Sequence, residues 1–111
     1  MKKVYVAHKY GGKLEDKQEA ERVIQYLIKK YRNTMFISPI HCFGFMYHDV
    51  PYERGMSWCL ALLDSCDELL LCDGWGSSRG CNMEYKFAIG NKPIYNGLDE
   101  FLEGYKESEV D

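Results

Sequence analysis

Apolar positions along the chain follow two alternating rhythms. Residues 3 to 8, "KVYVAH", form a β-branched and aromatic run that breaks at "KYGGK", which predicts a buried strand opening into a glycine loop. "LEDKQEAERVIQYLIKKY" then places Ala20, Val23, Ile24, Leu27 and Ile28 at helical spacing, with acids early and lysines late, as the helix dipole favours. "TMFISP" predicts a second strand ended by Pro39, and residues 39 to 50 follow as a long aromatic- and histidine-rich loop. Loops above about 12 residues without structure of their own are commonly functional or mobile, so this one is expected to cover a site or meet a partner chain. Residues 52 to 65 read as a helix with Met56, Cys59, Leu60 and Leu63 on one face. "DELLLCD" predicts a third strand ending at Asp73, followed by a loop, a helix from about Gly80 to Gly90, a short strand "KPIYN" and an acidic helix from Leu98.

Strands alternating with helices at this spacing imply an α/β sandwich with a parallel sheet, because parallel neighbours need crossover helices. With 111 residues, 46% hydrophobic and 28% charged, one domain spanning residues 1 to 111 is expected. In such sheets ligands collect beyond the carboxyl ends of the strands, at the point where strand order reverses. Three loops should therefore converge: 8 to 14, 39 to 50 and 73 to 82.

Charge and cysteine content narrow the partners. A formal charge of -3 provides no basic face for a nucleic acid polymer, although backbone N–H groups at a helix start suffice for one small anion. The first apolar stretch is too short for a signal peptide and no run approaches the roughly 18 apolar residues of a membrane span. A cytoplasmic protein without a membrane partner is expected. Five cysteines without a Cys-x-x-Cys pair support neither a disulfide framework nor a zinc knuckle, and are expected to be reduced and mostly buried.

The candidate chemistry lies in the converging loops. Gly11 and Gly12 follow the first strand and let backbone approach a ligand, or make a plain turn; they match neither a Walker A loop nor a dinucleotide fingerprint. Asp73, Gly74, Gly76, Ser77, Ser78, Gly80 and Asn82 crowd into ten positions beside a helix start, either to hold a ligand or to cap and turn, with Ser78 or Asn82 as N-cap. Glu84 tests the capping alternative, since a capping-box glutamate sits three residues after Ser or Thr and position 81 is Cys. At about 100° per residue, Glu84 falls between Phe87 and Ala88 and away from Lys86, on the apolar side of its helix. It is then either a tuned functional carboxylate, pulled between helix-terminal N–H groups and apolar surroundings, or a structural acid. His8 and His41 read as site-lining groups or satisfied core histidines, and the spacing of His8, His41 and His48 fits no metal motif, so no metal or cofactor is expected. Most aromatics should fill the core, whereas Trp75, with a glycine on each side, should be open to a ligand.

"VYVAHKYGGKLEDKQEAERVIQYL", "SPIH", "LLDSCDELLLCDGWGSSRG" and "MEYKFAIGNKPI" together resemble the nucleoside 2-deoxyribosyltransferase superfamily over roughly residues 3 to 96. Within it the chain is most similar to a small bacterial and phage domain, and next to the 2'-deoxynucleoside 5'-monophosphate N-glycosidases. The resemblance implies a flavodoxin-like (Rossmann-like) three-layer sandwich with a four- to five-stranded parallel sheet. It also implies N-glycosidic bond cleavage on a deoxynucleoside or its 5'-monophosphate, with Glu84 as nucleophile, Tyr5 or Tyr10 to orient it, and Asp73 as the acid for the leaving base. Ser77, Ser78 and Gly80 match a phosphate-receiving loop, Gly11 and Gly12 a double glycine in the first loop, and His41 a site histidine. The partner implied is a small nucleoside or nucleotide, the assembly a homodimer. Three residues separate Gly80 from Glu84 where the enzymes commonly have two, and Ser57, Trp58 or Cys59 stand where they carry a further acid. No match to their C-terminal, subunit-sharing residue occurs in "FLEGYKESEVD". Hydrolysis is therefore favoured over base exchange, and the alternatives are a non-catalytic nucleotide-binding module on the same fold or an interaction protein.

Overall fold

The computed structural model describes residues 1–109 and folds them as four parallel strands between two helical layers. Strand β1 (Lys2–Ala7) leads through the glycine loop into α1 (Leu14–Lys30), and β2 (Thr34–Ile37) leads into a short α2 (Pro39–Phe43) and one 3-10 turn, Gly44–Met46. After α3 (Tyr52–Asp64) and β3 (Glu68–Leu71) comes a second 3-10 turn, Trp75–Ser77, then α4 (Arg79–Ala88), β4 (Ile94–Asn96) and α5 (Leu98–Gly104). The sheet order is β2-β1-β3-β4, all parallel, so the order reverses between β1 and β3. This is a flavodoxin-like α/β sandwich at the four-strand end of the expected range. Among the described residues no helix is long and apolar enough to cross a membrane.

Period-two alternation along β1 divides the core. Tyr5 and Ala7 join Leu69 and Leu71 beneath α3 and α4, where Leu63, Cys66, Cys81 and Ala88 close the layer. Val4 and Val6 join Leu70 and Cys72 on the other face, under Leu27 of α1 and Phe101 of α5. The aromatic residues Tyr31, Phe36, Tyr95, Phe101 and Tyr105 pack together there, with Phe101 and Tyr105 stacked at 4.5 Å between ring centroids. Ile28 departs from the expected stripe and is half exposed, because the buried side of α1 narrows to Ala20 and Leu27 toward its C-terminus.

The long loop at 39 to 50 is more ordered than its composition suggests. Ser38 caps α2 by accepting the His41 N–H, and Pro39 occupies the first turn of a helix rather than merely ending a strand. Lys92 explains part of the Lys-Pro pair that follows α4. Its ammonium donates to the carbonyl oxygens of Leu63, Asp64 and Cys66 at 3.0, 3.3 and 2.6 Å, closing the C-terminus of α3.

Candidate functional site

Beyond the carboxyl ends of β1 and β3, at the reversal of strand order, lies a cavity of about 190 Å³. One wall comes from α2 and the segment after it (Ile40, Phe43, Tyr47), another from α3 (Tyr52, Met56, Cys59), and the third from the start of α4 (Ser78, Gly80, Glu84). The lining is largely aromatic and apolar, with Tyr10 edge-on to Tyr47 at 5.2 Å and Phe43 beside Trp58 at 5.8 Å. Gly80 lets α4 approach α3 closely: a Cβ there would lie 3.1 Å from the Tyr52 hydroxyl and 3.4 Å from the Met56 sulfur, so those side-chain ends would have to yield by a few tenths of an ångström.

Glu84 sits in this apolar setting with only 4% of its surface exposed. Its Oε2 accepts the hydroxyl of Tyr5, which is fully buried in β1 beneath it. Among the described residues no lysine, arginine or histidine pairs with this carboxylate. Burial raises its pKa to about 7, opposed by the Tyr5 hydrogen bond, which favours the ionised form. The same burial, with the Glu84 charge, drives Tyr5 far above the ordinary tyrosine value, so the phenol remains a donor. Cys59, also in the cavity wall, is pushed up to about 11 by burial and by Glu84, and stays a thiol. The pair therefore comprises a permanent donor and a carboxyl that changes charge near neutrality, a combination suited to nucleophilic or general acid–base work.

Several expected residues meet here. His8, Tyr10, Ser78, Gly80 and Glu84 all line the cavity, and Tyr5 supports it from below. Ser78 is the N-cap of α4, accepting the Cys81 N–H at 3.2 Å, so cap and site coincide. His8 is buried with Nδ1 2.8 Å from the Lys9 carbonyl and Nε2 3.2 Å from Glu19. Both ring nitrogens are thus already engaged.

Other expected residues lie apart from it. His41 is exposed on α2, its ring held between Ser38 Oγ at 2.6 Å and Glu21 at 2.7 Å. Asp73 is exposed, and its Oδ1 accepts the Leu98 N–H at 3.1 Å, fastening the start of α5. Gly97, at φ +93°, makes room for that carboxylate, since a Cβ would lie 2.7 Å from Oδ1. Trp75 does not line this cavity: it is half-buried, tilted against Tyr85 at 5.3 Å, its indole N–H donates to Asn96 at 2.7 Å, and it faces a separate surface pocket with Tyr85, Lys92 and Asn96. Ser77 donates to the Gly74 carbonyl and Asn82 to the carbonyls of Gly76 and Ser78, so both brace the loop. Gly11 is exposed, whereas Gly12, at φ +79°, backs onto Tyr47 and His48.

Tyr52, Met56 and Cys59 are cavity residues that sequence reasoning assigned to a helix or its core face. For Tyr52 and Met56 the sequence signal is the aromatic segment leading into α3, which marks a cover but not its inner surface, whereas Cys59 is also among the positions where the resembling enzymes carry a further acid. The family model described as "Domain of unknown function (DUF4406)" matches residues 2–92. No curated protein matches the chain.

Proposed function

The chain belongs to this family of domains of unknown function, and from that premise we propose that it cleaves the N-glycosidic bond of a deoxynucleoside or deoxynucleoside 5'-monophosphate, with Glu84 as nucleophile. One observation carries the reading: a buried carboxylate without a cation, held by the Tyr5 hydroxyl, at the base of an aromatic cavity at the switch point of the sheet. The resemblance to nucleoside 2-deoxyribosyltransferases, and the relation of the family to that fold, supply the reaction class.

A carboxylate beneath an anomeric carbon traps an oxocarbenium-like centre. Glu84 forms the new C–O bond as the C–N bond breaks; the base departs with the bonding pair and takes up a proton from solvent. Water then displaces Glu84 and releases the sugar, its spare proton returning to solvent, so that one water is consumed overall. The cavity is smaller than the roughly 300–1,000 Å³ of common ligand sites, which suits a furanose at the base of the cavity with the nucleobase toward the aromatic mouth. Ser78 and Gly80 at the start of α4 suit a 5'-phosphate, since the first N–H groups of a helix lack intrahelical acceptors. The homodimer of the resembling enzymes is part of the proposal, with the strongly exposed Phe45 as its contact.

A second reading, a nucleotide-binding module without catalysis, is favoured by the position of Asp73, which is bound to the start of α5 and leaves the leaving base without that acid. Incubation with a panel of deoxynucleosides and their monophosphates, with chromatography of free base, separates the two. Base release is expected, and nucleotide-dependent thermal stabilisation without release would select the module.

A further inference from the structure

We propose that His8, Asp16 and Glu19 form a binding site for one first-row divalent cation, at the junction of β1 and α1. Their donor atoms lie within 4.8 Å of one another, although one comes from the end of a strand and two from the first turns of the next helix. His8 is the fixed member. It is nine-tenths buried, and its Nδ1 faces the Lys9 carbonyl at 2.8 Å, which directs Nε2 toward the two carboxylates. A ring nitrogen committed to a backbone carbonyl while the other points outward is the usual arrangement of a metal-ligating imidazole.

The spacing suits an ion as well. Two ligand atoms about 2.1 Å from one cation lie roughly 3.0–3.4 Å apart in octahedral or tetrahedral geometry, and His8 Nε2 is 3.2 Å from Glu19 Oε2. Asp16, three residues before Glu19, lies on the same side of α1 and makes no hydrogen bond or ion pair with any described residue. Two carboxylates thus converge on one imidazole, and among the described residues no lysine or arginine pairs with either. One imidazole and two carboxylates suit Mn²⁺ or Zn²⁺, and an ion there would bridge the two ends of the glycine loop that leads from β1 into α1. His8 also lines the Glu84 cavity, but Glu84 is not one of the donors.

Mn²⁺ is the discriminating probe, because carboxylates suit it and the free thiols of this chain do not. The full chain is titrated with Mn²⁺ and the free ion is followed by electron paramagnetic resonance. One ion per chain is expected, with binding weakened at least about ten-fold in Asp16→Asn/Glu19→Gln and unchanged in Glu84→Gln. The carboxylate substitutions lie on the outer part of the site and preserve shape, and circular dichroism checks their folding. No bound Mn²⁺ at millimolar concentration, equal binding by the double variant, or loss in Glu84→Gln instead would overturn the assignment.

Discussion

Among the described residues one deeply buried glutamate lies on each side of the sheet, Glu68 in β3 and Glu84 in α4, and the two are treated differently. Glu68 lies on the α1/α5 side, 4% exposed, with the Tyr95 hydroxyl donating to it at 2.6 Å and the Lys2 ammonium at 3.0 Å. Glu84 lies on the α3/α4 side, equally buried, and has a tyrosine hydroxyl but no ammonium. A buried charge without a partner is costly, and removal of one member of a buried pair commonly costs about 3–5 kcal/mol. Glu68 is satisfied as a structural acid. Glu84 is left with a pKa raised to about 7 beside an open cavity, where a substrate can reach it. What sets Glu84 apart from Glu68, and fits it to the proposed role, is therefore the missing cation and the adjoining space, not the depth of burial.

The largest expected effect breaks the comparison at its functional end. Glu84→Gln keeps the shape but removes the proposed nucleophile, so base release should fall by about 1,000-fold or more, whereas Glu68→Gln should leave kcat near that of the parent. Chromatographic assay of both variants checks this, and comparable losses would show that the two acids do not differ in function.

A second effect concerns stability. The folded-state pKa of Glu84 is raised above the ordinary value of 4.5 to about 7, so the native state binds the extra proton between those values. Its cost to stability is absent in acid, grows as pH rises through that window, and reaches about 3 kcal/mol above it. Glu84→Gln should consequently melt on the order of 10 °C above the parent at pH 8 and close to it at pH 4. Equal melting temperatures at both pH values would mean that the carboxyl has an ordinary environment.

Tyr5→Phe comes next. The hydroxyl of Tyr5 holds the Glu84 pKa down, so its loss should move the ascending limb of the kcat/KM profile to higher pH and reduce the rate at pH 7 by roughly 10-fold. Activity should recover as pH rises. A uniform loss at every pH would assign Tyr5 a purely structural role.

The sequence made this difference only half legible. Glu84 stood out because position 81 is Cys and because its neighbours place it on the apolar side of the helix. That periodicity survives folding, as do the strand alternation and the convergence of loops at the switch point. Asp73, His41 and Trp75 went elsewhere for reasons that no local pattern encodes. Their partners, Leu98, Glu21 and Asn96, lie on other elements, 20 or more residues away in the chain. The cavity wall of α3 was equally hidden, because Met56 and Cys59 have the spacing of core residues and only the approach of Gly80 and the α2 segment leaves space between them. Glu68 drew no attention at all, since its lysine partner is 66 positions away at the start of β1.

The smallest effect converts one acid toward the other. Lys2→Met removes the ammonium, which also lies 5.3 Å from the centroid of the Tyr105 ring, and leaves Glu68 with Tyr95 alone, much as Glu84 has Tyr5 alone. Lys2 is about one-third exposed, so solvent screens the pair and the penalty should be about 1 kcal/mol at pH 8, well below the cost of breaking a fully buried pair. Urea melts of the parent and Lys2→Met at pH 8 measure it, and a penalty of about 3 kcal/mol or more would show that solvent does not screen the pair.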